Sequence, residues 1–150
     1  MSNYRELAAH FKQYRSRVTR NTEAAMRKAA AEMTKDMRAR VPVDTGNLKN
    51  SIRYAVSKRY GEIVVRIHAN AENEGTKYAE FIEFGTGIYN EHGDGRTTPW
   101  IVTAKVHGTA RTWKTSGMKA QPFIRPAFAA HKGQLQKMIQ QSMRVDGGTL

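Results

Sequence analysis

The chain contains no cysteine, and this absence excludes three kinds of chemistry at once. Disulfide bonds, cysteine-based zinc sites and thiol nucleophiles all need that side chain. The sequence also lacks a run of about 18 apolar residues, which a membrane-spanning helix would need, and a charged-then-apolar leader. We therefore expect a soluble protein, made in the cytoplasm and stabilised by packing or by neighbouring subunits.

Acidic residues are scarce, since 13 Asp and Glu stand against 25 Lys and Arg, for a net charge of +12. The imbalance is uneven: residues 1–40 carry +6, residues 41–95 carry −2 and residues 96–150 carry +8. Basic ends permit a nucleic acid or an acidic protein surface as partner. Net charge bears on association and solubility, not on fold.

The pattern from Tyr4 to Arg40 predicts a long amphipathic helix, because apolar or small side chains recur every three or four residues. One unbroken helix would be about 55 Å long, whereas a globular domain of this size has a diameter of roughly 40 Å. The helix must therefore break, with Asn21 or Thr22 as the cap of a second helix, or overhang.

An overhanging helix leaves an apolar stripe on its first half that its own domain cannot fully cover. Either the helix folds back on its own sheet, or the stripe seals against another chain. The basic residues between the apolar ones form a solvated face or contact DNA. The candidate subunit-interface residues of this stripe are Leu7, Phe11, Tyr14 and Val18.

Residues 41–52 end this helix and change the direction of the chain. Pro42 cannot continue a helix and biases its predecessor away from helical angles. Gly46 tolerates backbone angles that side chains resist, which suits a tight turn. The expected acceptors for the next backbone amides are Asp44 and Thr45, and the expected core anchors are Leu48 and Ile52.

Alternating apolar side chains predict two hairpins. Residues 52–57 and 63–68 alternate with period two around a turn at 59–62, which is typical of an antiparallel pair. Trp100 and Trp113 should share a second hairpin that turns at His107 and Gly108. The sheet is therefore mainly antiparallel.

Two more helices are predicted. Residues 78–87 fit a helix or a strand, and we favour one and a half helical turns that end at Gly85 in a left-handed conformation. Pro126 suits the first turn of a closing helix. The apolar face expected on that helix consists of Phe128, Leu135, Met138, Ile139 and Met143.

The predicted fold class is α+β, with a long N-terminal amphipathic helix, a mainly antiparallel sheet built from hairpins, and a C-terminal helix. A length of 150 residues, 39% of them hydrophobic, suits one domain. We expect a helical arm at 1–40, an α+β body at 41–143 and a frayed tail at 144–150.

No group of residues predicts catalysis. The loop 91–94 holds the only tight cluster of potential metal ligands, and no second histidine lies near it to complete a set. Neither a nucleotide-binding glycine loop nor a nucleophile turn around Ser51 is present. Glu83 is better explained as a buried structural acid that caps backbone or pairs with Arg125 than as an enzymatic acid. We expect no enzyme activity, no cofactor and no metal.

Basic residues are interleaved with Trp113 between Lys105 and Lys119, a composition that can follow single-stranded nucleic acid. A hairpin with a tryptophan more commonly packs on its own core, so both interpretations stay open. The candidate contacts with DNA or an acidic surface are Arg15, Arg17, Arg20, Lys105, Arg111 and Lys114.

Three blocks resemble a known family in the same order. The run VPVDTGNLKNSI at 41–52 resembles the opening signature of the head-tail connection proteins of tailed bacteriophages, the neck, tail-component or tail-completion family. Residues 78–86 are similar to its YAxxxEFGT block, and residues 122–128 to its PFLRPAL block. The family-motif residues are Val43, Asp44, Thr45, Gly46, Leu48, Ser51, Ile52, Tyr78, Ala79, Glu83, Phe84, Gly85, Thr86, Pro122, Phe123, Arg125 and Pro126.

The resemblance implies a structural virion protein of the phage neck or tail top. It would form a homo-oligomeric ring of six or twelve subunits that helps join head to tail around the DNA ejection channel. The expected partners are further copies, head-completion or connector proteins and tail-terminator proteins, with genomic DNA in passing and no membrane. The location would be the virion, after assembly in the host cytoplasm.

The alternative is a small basic nucleic-acid-binding accessory protein. The two interpretations differ in their dependence on salt, because binding through several phosphates weakens steeply as salt rises.

Overall fold

A computed structural model describes residues 2–44, 46–73, 76–106 and 108–144, and it confirms the α+β fold class. The helices are α1 (Ser2–Arg40), α2 (Asn47–Ser51), α3 (Ala79–Phe84) and α4 (Ile124–Met143), with one 3-10 turn at Gly87–Tyr89. The strands are β1 (Ile52–Arg59), β2 (Glu62–Ala69), β3 (Glu72–Asn73), β4 (Thr76–Lys77), β5 (Trp100–Val106) and β6 (Thr109–Thr115).

Helix α1 is unbroken over 39 residues, so the alternative in which it breaks at Asn21 or Thr22 is wrong. Its length is about 58 Å at 1.5 Å per residue. No glycine or proline interrupts it, and Thr22 uses its hydroxyl to contact Ser142 at 3.1 Å instead of capping a new helix. The last turn continues to Val41, whose amide donates to Met37, just before Pro42.

Both predicted hairpins are confirmed. Strands β1 and β2 pair across a two-residue turn in which Tyr60 and Gly61 have φ of 50° and 84°, the angles that a tight hairpin turn with two left-handed residues needs. Strands β5 and β6 are antiparallel, with Trp100 opposite Thr115 and Val106 opposite Thr109. Gly108 lies in the turn between them, and His107 lies outside the described residues.

The described residues form two compact units. The first unit comprises residues 2–36, 53–68 and 127–144, and its core includes Ala29, Ala30 and Met33 of α1 and Ala127 of α4. Side-chain hydrogen bonds also join α1 to α4 there, since Gln134 donates to Glu32 at 3.1 Å.

The second unit comprises residues 37–52 and 69–126, apart from 45, 74, 75 and 107, which the structure does not describe. Leu48 and Ile52 are both buried in it, which confirms that they anchor this segment. The predicted single domain, with an arm at 1–40, a body at 41–143 and a tail at 144–150, stays a prediction, and residues 145–150 lie outside the described part. The other buried apolar residues of this unit are Met37, Val41, Ala71, Ala79 and Phe123.

Two local predictions need correction. Helix α2 has Gly46 at its N-cap, with φ of 81°; the acceptor role of Asp44 stays a prediction, and Thr45 is outside the described residues. Residues 79–84 are helical as favoured, but Gly85 has φ of 78° with ψ of 178°, which is not the left-handed helical region. On α4, Pro126 is in the first turn as predicted, whereas two members of its predicted apolar face, Phe128 and Met143, are exposed.

None of the helices in the described part of the chain is both long enough and apolar enough to cross a membrane.

Candidate interaction surfaces and the junction that supports them

Glu83 is a buried carboxylate at the centre of the second unit, with 1% of its surface exposed. Its Oε2 accepts hydrogen bonds from the amides of Phe123 at 2.7 Å and Ile124 at 2.9 Å, and its Oε1 accepts the amide of Arg125 at 3.0 Å. These amides open α4 and have no partner inside the helix. Glu83 therefore caps a helix that begins 41 residues later in the chain, and its negative charge is placed where the helix dipole favours it.

Arg125 adds further contacts to this cluster, which we call the Glu83 junction and which consists of Glu83, Phe84, Glu91 and residues 123–125. Its Nε donates to Glu83 Oε1 at 3.0 Å, its Nη2 to the Glu83 carbonyl at 2.9 Å and its Nη1 to Glu91 Oε2 at 2.6 Å. The guanidinium also lies 4.7 Å from the centre of the Phe84 ring, a distance at which the ring attracts a cation. The pairing of Glu83 with Arg125 follows the sequence prediction. The Glu91 contact was missed, because a pair 34 residues apart leaves no periodic signal.

The pKa of Glu83 is lowered from its ordinary value of 4.5. Burial is the largest single influence and by itself would raise the pKa of this carboxyl. The amides of Ile124, Arg125 and Phe123, together with the Arg125 side chain, outweigh burial because they all stabilise the charged form.

Acid should therefore weaken the fold through Glu83. The unfolded chain, with a carboxyl pKa near 4.5, takes up the proton first as the pH falls, so this stabilisation is full above that value and is lost as the pH falls through the lower folded pKa. We expect the unfolding free energies of the natural protein and the Glu83→Gln variant to converge between about pH 5 and about pH 2. Urea unfolding across this pH range measures the free energies of both proteins, and a constant difference between them would contradict the prediction.

Backbone hydrogen bonds lock the segments on either side of the β5–β6 hairpin together. The Thr86 amide donates to the Met118 carbonyl at 2.8 Å, the Ile88 amide to Ser116 at 3.0 Å and the Gln121 amide to Ile82 at 2.8 Å. The base of the hairpin is therefore clamped next to the Glu83 junction. This brings the second and third motif blocks into contact.

Two glycines allow this close approach. A Cβ on Gly87 would lie 2.0 Å from the Ser116 carbonyl oxygen, and a Cβ on Gly117 would lie 2.0 Å from that of Thr86. Both glycines also have positive φ, of 61° and 123°. Any larger residue at either position would force the two segments apart.

The register of the β5–β6 hairpin defines two faces, one richer in apolar side chains, which we call the apolar face, and one richer in polar side chains, the polar face. Thr103 and Thr112 are opposite each other on the polar face, with their hydroxyls 2.9 Å apart. Trp113 is 43% exposed, so the expectation that the hairpin packs its tryptophan on its own core is wrong for this residue. The apolar face carries Trp100, Val102 and Ala104 opposite Thr115, Trp113 and Arg111.

The first half of α1 displays its apolar stripe to solvent. Every residue from 3 to 17 is exposed, including Phe11 at 65% and Leu7 at 52%, and Tyr4 extends the stripe by one turn. Val18 is half-buried. A contiguous exposed apolar face of this kind usually marks an interaction surface.

The predicted site residues divide between the two units. All family-motif residues belong to the second unit. The buried members are Leu48, Ile52, Ala79, Glu83, Gly85 and Phe123; the half-buried members are Gly46, Ser51, Tyr78, Phe84, Thr86 and Pro126; the exposed members are Val43, Asp44, Pro122 and Arg125; and Thr45 lies outside the described residues.

The six basic residues expected to contact DNA or an acidic surface are all exposed. Arg15, Arg17 and Arg20 are on α1 in the first unit, whereas Lys105, Arg111 and Lys114 are on the β5–β6 hairpin in the second unit.

Within the described ranges, no group of three or more His, Asp and Glu side chains could hold a metal ion. The Ser51 hydroxyl donates to the Leu48 carbonyl at 2.8 Å, a local bond that supports α2.

One family model matches the chain. Its description is "Bacteriophage HK97-gp10, putative tail-component", and it matches residues 5–85. The matched range includes most of α1, the β1–β2 hairpin and α3, and it ends just after Glu83. No curated protein and no solved structure matches.

Proposed function

The chain belongs to the HK97-gp10-like family of bacteriophage tail components, and from this membership we propose that it forms a ring of identical subunits at the neck or the top of the tail. A tail component is a structural protein that works in contact with other virion proteins. The finer role that we propose is to help join head to tail around the channel through which the genome passes. Six or twelve copies would close the ring, between connector or head-completion proteins and tail-terminator proteins.

The exposed apolar stripe of α1 is the observation that carries this proposal. Leu7, Phe11 and Tyr14 lie on one face of a helix half that is exposed throughout. Burying a large apolar side chain stabilises a complex by roughly 1.5–3 kcal/mol. A subunit with such a face gains stability when another chain covers it.

Two different surfaces support a ring rather than a symmetric dimer. The stripe belongs to the first unit, and the apolar face of the β5–β6 hairpin, with Trp113 exposed, belongs to the second. Contacts between unlike surfaces repeat from subunit to subunit and close into a ring when the rotation allows it. We propose that α1 and the segment 87–120 supply much of the subunit contact.

The test replaces two stripe residues with acids. Leu7→Glu with Phe11→Glu should abolish assembly, because two carboxylates would be buried at the contact. The matched control is Ala9→Glu with Gln13→Glu, which adds the same charge to the same exposed part of α1 on its opposite side. Light scattering gives the assembled mass of each protein alone, and addition to separated heads and tails measures joining.

We expect the control to assemble and to join heads to tails, and the stripe variant to stay monomeric and inactive. Deleting residues 1–20 should have the same result while leaving a folded remainder, since the buried residues of α1 begin at Ala29. If the stripe variant or the deletion still joins heads to tails, the assignment of α1 to the subunit contact is wrong. A natural protein that is monomeric and absent from purified particles would overturn the ring.

A further inference from the structure

A basic groove lies within the first unit, between α1 and the β1–β2 hairpin. It has a volume of about 680 Å³. One wall is the outer half of α1 and the other is the hairpin end around Gly61. Its lining residues are Lys12, Arg15, Ser16, Thr19, Arg20 and Glu23 of α1, with Lys58, Gly61, Glu62 and Ile63 of the hairpin.

Cations outnumber anions in this groove. Glu23 is already engaged by Arg27, 2.9 Å away, and by Lys58, and these two partners lower its pKa. Glu62 is the only other acid in the lining. Lys12, Arg15 and Arg20 have no ion-pair partner among the described residues, so three positive charges remain for a ligand.

Helix geometry places these charges in a row. Residues 12, 15, 16, 19, 20 and 23 recur every three or four positions, so they form one face of α1. From Lys12 to Arg20 the helix rises about 12 Å. One DNA strand carries a phosphate every 3.4 Å of the helix axis, so the row is long enough to meet about three phosphates.

This face is separate from the apolar stripe. At 100° per residue, the groove residues centre about 145° around α1 from Leu7, Phe11 and Tyr14. A subunit contact through the stripe therefore leaves the groove open. Both surfaces can be occupied in the same assembly.

We propose that the basic groove binds the phosphate backbone of duplex DNA without reading its sequence. Phosphate contacts need cationic and hydroxyl donors, which Arg15, Arg20 and Ser16 supply. A protein ligand would need an apolar centre, but Ile63 is the only large apolar side chain in the lining. Single strands are held by aromatic stacking, and no aromatic residue lines the groove. The biological setting of this inference, a ring around the passing genome, rests on the function proposed above.

Binding is tested on the full chain with a 30-base-pair duplex of arbitrary sequence, by fluorescence anisotropy at several salt concentrations. The groove variant combines Lys12→Ala, Arg15→Ala and Arg20→Ala. Two control variants each remove three positive charges from exposed residues outside the groove. The hairpin control is Lys105→Ala, Arg111→Ala and Lys114→Ala, and the distal control is Lys35→Ala, Lys132→Ala and Lys137→Ala.

We expect only the groove variant to bind at least about tenfold more weakly, with the slope of log affinity against log salt reduced by up to about 2.7, or 0.9 for each lost phosphate contact. The inference is overturned if the groove variant binds like the natural protein, or if all three variants weaken equally. It is also overturned if the hairpin control alone loses binding, if single-stranded DNA binds more tightly than duplex, or if polyglutamate binds as tightly as the duplex.

Circular dichroism checks that each variant is folded, and light scattering checks that the groove variant still assembles. These readouts separate the two proposals. A groove variant that assembles but loses DNA supports the groove, whatever the mass of the assembly. A stripe variant that still joins heads to tails contradicts the proposed subunit contact and leaves the groove result unchanged.

Discussion

Replacing Glu83 with alanine should lower the free energy of unfolding by about 3 kcal/mol. The substitution removes the acceptor of three amides at the start of α4, and a buried donor left without a partner costs about 1–3 kcal/mol. The amide of Phe123 is fully buried, whereas those of Ile124 and Arg125 are nearer the surface and can partly recover water. Arg125 would also lose one of its two carboxylate partners.

The matched control is Glu80→Ala, three residues earlier on the same helix and exposed. It should change stability by less than about 0.5 kcal/mol. Glu83→Gln keeps the shape and one acceptor oxygen, so its cost should fall between the two. Urea unfolding followed by circular dichroism measures all three, and equal costs for Glu83→Ala and Glu80→Ala would show that the cap contributes nothing.

Gly87→Ala should destabilise the protein by about 2–5 kcal/mol. An alanine at φ of 61° costs about 1–2 kcal/mol by itself. The new methyl group would also lie 2.0 Å from the Ser116 carbonyl and 2.8 Å from the Trp100 ring, and forcing a well-packed region apart adds about 1–3 kcal/mol. The expected result is a protein whose hairpin base opens before the rest unfolds.

Gly93→Ala separates the two causes of this loss. Gly93 has φ of 77° in the same loop, but nothing lies within 4 Å of the Cβ that it would gain. Its cost should therefore be the backbone cost alone, about 1–2 kcal/mol. Thermal unfolding of both variants gives the comparison, and similar losses for Gly87→Ala and Gly93→Ala would contradict the steric argument.

Local pattern was sufficient for the longer elements of this fold, but it predicted a polar loop where β3 lies and gave no sign of β4 or the 3-10 turn. Apolar periodicity located α1 and α4, and alternation located both hairpins. The lack of a catalytic group of residues around Glu83 favoured a buried structural acid that caps backbone or pairs with Arg125. Each of these features depends on residues that are close in sequence or on a strong chemical need. The breaks and caps were less predictable, because Thr22 can cap a helix but its hydroxyl contacts Ser142 instead.

Contacts across long stretches of chain could not be predicted. Glu91 meets Arg125, and Lys58 meets Glu23, only because the fold brings distant segments together. The contact between Lys58 and Glu23 joins the β1–β2 hairpin to α1 at the basic groove. Charge alone indicates Arg15 and Arg20. Lys12 and Lys58 also line the groove and Arg17 does not, because the groove forms only where two elements meet.

The Glu83 cap also affects which side chains can occupy position 123. Helices commonly begin after a short polar residue that satisfies their first amides, yet the residue before α4 is Phe123, one of the most deeply buried side chains of the protein. Because the Glu83 carboxylate of α3 accepts these amides, position 123 does not need a polar side chain. We therefore expect residues 83 and 123 to vary together: a chain without the acid at 83 would need serine or aspartate at 123 to satisfy these amides, and would lose a core aromatic.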